Sequence, residues 1–242
     1  MYAWKWWREN RSRVIVYLIL LVIITAFLPW VSWWDYQQGS SGAREAAALD
    51  VWRICLVSLG SPAMAFAGLG LGASGVGEEF AQGTVEFLLT RPRRRKYFVW
   101  AGWATGAMTL LIMVLLAVLA SFATFVYLTK SVHHWKFLTM AVPLFVLGAV
   151  VYSLTYFMTA LMKSGRTGLS LSLGLFVIAL LLPLAVRLQW RIDLPTPLDV
   201  LAASKWATVP GAHFPTTATI GWSLVALAFP LATQLLFERA DV

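Results

Sequence analysis

The sequence predicts an all-α integral membrane protein of six transmembrane helices, with both termini on the inner side. Three observations predict it. The 242 residues are 60 % hydrophobic and 12 % charged, with a mean hydropathy of +0.73, which excludes an ordinary soluble domain. Six stretches approach or exceed the ~20 apolar residues that cross a bilayer, and none holds Asp, Glu, Lys, Arg or His. With the N-terminus inside, 12 of the 19 Lys and Arg fall in inner segments and 7 in outer ones, densest beside membrane ends. That is the positive-inside pattern, and it accounts for the net charge of +8 without nucleic acid.

The spans are Val14–Trp34, Ile54–Gly77, Phe98–Leu128, Phe137–Met162, Leu169–Val186 and Ile220–Phe237, a single transmembrane domain over residues 1–242. Ahead of the first, Trp4, Trp6 and Trp7 sit among Lys5, Arg8, Arg11 and Arg13. Tryptophan and arginine together favour the headgroup layer, so Met1–Arg13 is expected as a helix on the inner surface, before the chain turns in. The alternative is the aromatic belt of the first span. That span is too long for a signal peptide and ends in Pro29, Trp30, Trp33 and Trp34 rather than small residues, so it is expected to stay uncleaved.

Asp35–Arg53 is an outer loop whose alanine-rich half suits a helix. Gly68/Gly72 and Gly102/Gly106 have the four-residue spacing that lets helices approach closely, either within one bundle or at a moving or dimeric contact. The third span exceeds the roughly 30 Å hydrocarbon core and must tilt, kink or project. Between the last two spans, Thr196-Pro197-Leu198-Asp199 reads as a helix start, with Leu198, Leu201 and Ala202 on one apolar side. Such an outer helix either caps a translocation path or covers the bundle end.

The inner segment between the second and third spans carries the most information. It begins with Glu78 and Glu79, breaks at Gly83-Thr84, runs through Glu86-Phe87-Leu88-Leu89 and stops at Arg91-Pro92 before a basic cluster. Gly83 can end the preceding helix and Thr84 can cap a new one, with Glu86 at the positive end of its dipole. Arg91 precedes proline and is pushed out of helical geometry, so the new helix is about six residues long. Its apolar side has no membrane reason to exist and reads as a docking plug for a partner protein.

The sequence holds no constellation that carries chemistry. Gly72-Ala73-Ser74-Gly75 has the form of an intramembrane serine protease, but His133, His134 and His213 lie in outer loops, a bilayer away from Ser74. Adjacent histidines without a nearby carboxylate do not build a metal site. Cys55 is the only cysteine and reads as a small apolar residue. No phosphate-binding loop occurs, so the chain is expected to hold no cofactor itself. Intramembrane charge, the usual sign of ion coupling, is absent, and the energy must come from elsewhere. Thr105, Thr109, Ser153, Thr155, Tyr156, Thr159, Ser170 and Ser172 are polar but uncharged. They serve helix-to-helix hydrogen bonding or, for Thr105, Thr109, Ser153, Tyr156 and Thr159, a substrate path.

The pattern from Glu78-Glu79 to the basic run resembles the cytoplasmic loop of ABC-2 type ABC-transporter permeases. In that family an acidic pair, a Gly-Thr and a short helix ending in Leu-Leu precede a proline and basic residues. One departure is Gly102-Trp103, where members often have Gly-Lys. The resemblance implies that Thr84–Thr90 is a coupling helix inserted into an ATP-binding subunit, with Glu78, Glu79, Glu86 and Arg91 as polar contacts. It further implies ATP and magnesium bound by that partner, a second permease copy forming a homodimer, and a prokaryotic inner membrane. The expected function is export of an amphipathic or lipid-like substrate by alternating access. The alternative is a non-transporting anchor or assembly subunit of an ATPase-linked complex.

Overall fold

The computed structural model describes residues 2–33, 41–74, 95–130, 135–208 and 212–239. Among them there is no β-strand. Helices α1 (Tyr2–Val22), α2 (Leu28–Trp33), α3 (Ser41–Ile54), α4 (Ser61–Ala73), α5 (Arg95–Thr129), α6 (Ala141–Met162), α7 (Gly165–Trp190), α8 (Ala203–Thr208) and α9 (Thr216–Arg239) follow in order. Six helical runs are long and apolar enough to cross a membrane: Trp4–Val31, Ala48–Ala73, Lys96–Thr129, Lys136–Met162, Gly165–Trp190 and Thr216–Glu238. Each overlaps one of the six spans read from the sequence.

The N-terminal segment departs from expectation. Tyr2–Val22 is one helix, so the chain makes no turn between Arg13 and Val14. No glycine or proline interrupts those residues, and an unbroken helix keeps its backbone hydrogen bonds satisfied at every depth. The alanine-rich stretch is helical as expected, and α3 runs straight into the second span.

Two spans contain a π-helical turn, Ile23–Phe27 between α1 and α2 and Cys55–Gly60 between α3 and α4. Each lies just before a proline, Pro29 and Pro62. Proline lacks an N–H and its ring clashes with the carbonyl four residues back, here Thr25 and Ser58; a wider turn relieves the clash. The two π turns pack against each other. Pro183 and Pro230, by contrast, lie inside uninterrupted helices.

Pairings between helices fix which ends lie together. Tyr17 packs on Gly70, Thr25 meets Ala117, Tyr156 meets Val99, Thr159 meets Gly168, and Trp100 meets Gln234. The start of α1, the end of α4, the start of α5, the α6–α7 junction and the end of α9 therefore share one end, called proximal below.

Helix α6 is the hub and packs against α4, α5, α7 and α9. In the most apolar stretch of its span 72 % is buried, against 12 % for α7, which lies at the periphery. Small residues make the central contact possible. A Cβ on Gly68 would stand 2.6 Å from the Gly148 carbonyl oxygen, and one on Gly72 would stand 2.7 Å from Thr155 Cβ. Gly68, Gly72 and Gly106, which meets Tyr152, thus serve packing within one chain.

At the distal end, Pro197–Ala202 forms a 3₁₀ helix that continues into α8. Its start is as expected: Thr196 is extended, and its N–H donates to Asp199 Oδ2 at 2.7 Å while its hydroxyl donates to Oδ1 at 2.9 Å. Its apolar side is not as expected. Pro197, Val200, Leu201 and Ala203 are buried, whereas Leu198 and Ala202 are exposed. The buried side therefore runs through Pro197, Val200 and Leu201, with Leu198 turned away from it. This cap rests on α6 and, through α8, on the 3₁₀ turn Trp135–Met140.

Candidate functional site

The proposed docking residues Glu78, Glu79, Gly83, Thr84, Glu86, Phe87, Leu88, Leu89, Arg91 and Pro92 lie outside the described residues. What the structure describes is the proximal end that flanks them on both sides, from Ser74 at the end of α4 and from Arg95 at the start of α5.

The first three turns of α5 are clamped from two directions. Tyr156 Oη donates to the Val99 carbonyl at 2.9 Å, and Tyr152 Oη donates to the Gly102 carbonyl at 3.2 Å, its ring lying on Gly106. Trp103 Nε1 donates to Ser153 Oγ at 2.8 Å. From the other side, Trp100 Nε1 donates to Gln234 Oε1 at 2.8 Å, and Gln234 Nε2 donates to Glu238 Oε1 at 2.7 Å. Trp100 and Trp103 meet edge to face, which joins the two sets. Directed side-chain bonds therefore join the start of α5 to both α6 and α9.

The N-terminal tryptophans divide between two environments. Trp4 is 65 % exposed with Arg8 Cζ 5.0 Å from its ring centre, and Trp7 is 47 % exposed. These two and Arg8 lie on the exposed side of α1. Trp6 faces the opposite way and is buried in the core with Val14. Asn10, between them on the same stripe, donates Nδ2 to the Trp6 carbonyl at 3.0 Å, while its Oδ1 has no partner.

The polar residues of the middle spans differ in exposure. Ser153, Tyr156 and Thr159 are fully buried, Ser153 and Tyr156 engaged by α5 as above and Thr159 donating to the Tyr156 carbonyl at 3.0 Å. Thr105 and Thr109 are half-buried and donate to the Ala101 and Thr105 carbonyls of their own helix at 2.7 and 2.9 Å. Ser74 Oγ donates to the Leu71 carbonyl at 2.8 Å. His213 follows α8 at the distal end, and His133 and His134 lie outside the described residues. Among the described residues no three His, Cys, Asp or Glu gather to hold a metal ion.

Sequence reasoning missed a second polar chain deeper in the bundle. Trp52 Nε1 donates to the Ser121 carbonyl at 3.1 Å, Ser121 Oγ to the Thr25 carbonyl at 2.6 Å, and Thr25 Oγ1 to the Leu21 carbonyl at 2.8 Å. It ties the π turn of the first span to α3 and α5. The readable signal was Thr25 four residues before Pro29: the proline frees that carbonyl, and Ser121 takes it up.

No curated protein matches this chain. The sequence profile described as ABC-2 family transporter protein matches residues 3–242, in keeping with the six apolar helices: the chain is a member of the ABC-2 family of transporter proteins.

Proposed function

We propose that this chain, the membrane-spanning permease component of an ABC transporter, is driven by a separate ATP-binding subunit that docks on Thr84–Thr90. In this reading the proximal end is cytoplasmic. Phe87, Leu88 and Leu89 form the inserted apolar side, and Glu78, Glu79, Glu86 and Arg91 flank it. ATP and magnesium bind in the partner, and a second copy of the chain completes the pathway. Closure of the partner's ATP sites moves the short helix, and the bonds from Val99, Gly102, Trp100 and Trp103 carry that motion into α6 and α9. The cargo is amphipathic or lipid-like and is exported; the uncharged bundle interior supports this over a free ion.

The observation that carries the proposal is the segment from Glu78 to Lys96, whose break, cap, apolar run and proline stop have no role in crossing a membrane. The test is co-expression with a candidate ABC ATP-binding subunit and purification through a tag on this chain. Wild type is expected to retain the ATPase, and the double variant Phe87→Asp with Leu88→Asp to lose it. Equal retention by both shows that this helix is not the coupling element. Failure of any ATPase to co-purify with wild type overturns the reading.

A further inference from the structure

The π turn of the first span opens a groove on the bundle surface. Val22, Ala26, Phe27 and Trp30 form one wall and Ala123, Thr124 and Tyr127 of α5 the other, around a space of about 470 Å³. That is within the ~300–1,000 Å³ range of small-ligand pockets. Its walls are apolar, because the Thr124 hydroxyl is spent on the Ala120 carbonyl at 2.9 Å. Phe27 and Tyr127 stand exposed at its edges.

One end of the groove is charged. Helix α5 stops at Lys130, which takes a left-handed conformation with φ of 57° and donates its N–H to the Val126 carbonyl at 2.9 Å. Its ammonium sits 4.5 Å from the centre of the Tyr127 ring. Among the described residues no carboxylate pairs with it, and the Tyr127 hydroxyl has no hydrogen-bond partner. The C-terminus of α5 contributes a fractional negative charge of roughly one half, so a full positive charge leaves a net attraction for anions.

We propose that this groove binds a resident anionic phospholipid, with one acyl chain between α5 and the π turn and the phosphate on Lys130 and Tyr127. The apolar length runs from Val22 to Trp30, about 12 Å along the helix axis, and ends where tryptophan, tyrosine and lysine mark the membrane boundary. A helix from a second copy, about 10–12 Å across with its side chains, does not enter a cleft between two touching helices, whereas an extended hydrocarbon chain does. The proposal does not rest on the docking reading, and it concerns a lipid that stays rather than the cargo.

The test uses the full chain in nanodiscs of equal phosphatidylglycerol and phosphatidylcholine. A photoreactive benzoylphenylalanine replaces Phe27, and in a second preparation Ile178, an exposed residue of the peripheral α7. Mass spectrometry reads the lipid adducts. The Phe27 position is expected to favour phosphatidylglycerol about fivefold, the discrimination one lysine near a headgroup supplies, and Ile178 to show no preference. Lys130→Gln is expected to abolish the preference at Phe27 while adducts persist. A ratio at Phe27 equal to that at Ile178, a preference unchanged by Lys130→Gln, or adducts at Phe27 that go to a second copy of the chain would each overturn the proposal.

Discussion

Gly72 is a position where one missing Cβ sets the architecture. The atom it lacks would lie 2.7 Å from Thr155 Cβ and 2.8 Å from the Tyr152 carbonyl oxygen, and neither can swing aside. Gly72→Leu is expected to cost roughly 1–3 kcal/mol or more, read as a lower unfolding midpoint in detergent, because it overpacks a rigid helix contact. Gly174→Leu, where a Cβ meets nothing within 4 Å, is expected to leave the midpoint unchanged. The four-residue spacing of Gly68 and Gly72 is visible in the sequence, but the surface they meet is not, because nothing local encodes Gly148 or Thr155 as the partner. Ser153 shows the same limit. Its polarity is legible, yet what engages it is Trp103, 50 residues earlier.

Between residue and fold, pitch was the hidden variable. Apolar runs marked all six spans, because hydropathy depends on composition alone. Three of the six hold or adjoin a non-α turn, since Ile23–Phe27, Cys55–Gly60 and Trp135–Met140 have the same apolar character as the helices they join. Helix ends were missed for a related reason. Hydropathy stops near the first charge, whereas α7 continues from its cap at Ser164 to Arg191, whose left-handed backbone ends it. The distal 3₁₀ helix allows a direct check of which side is buried. Val200→Asp is expected to destabilise the chain by more than about 3 kcal/mol, because it buries an unpaired charge. Leu198→Asp, at an exposed position two residues away, is expected to stay within about 0.5 kcal/mol of wild type in the same unfolding assay.

At the scale of the whole molecule, a buried hub, α6, is held by glycine contacts to α4 and by tyrosine and tryptophan bonds to α5, while α7 stays peripheral. The start of α5 is thus bonded directly to the hub, and none of those bonds is visible without the long-range pairs. The segment from Glu78 to Lys96 carries its expected break, cap and stop as local sequence features, and all but its last two residues lie outside the described residues. The central claim is that Thr84–Thr90 enters the ATP-binding subunit, and site-specific photocrosslinking tests it most directly. A benzoylphenylalanine at Leu88 is compared with one at Leu198, which is exposed at the distal end, in complexes purified with the ATPase. The account predicts a covalent product of this chain and the ATPase from Leu88 and none from Leu198. A complex that forms but gives no such product from Leu88, or gives as much from Leu198, would contradict it.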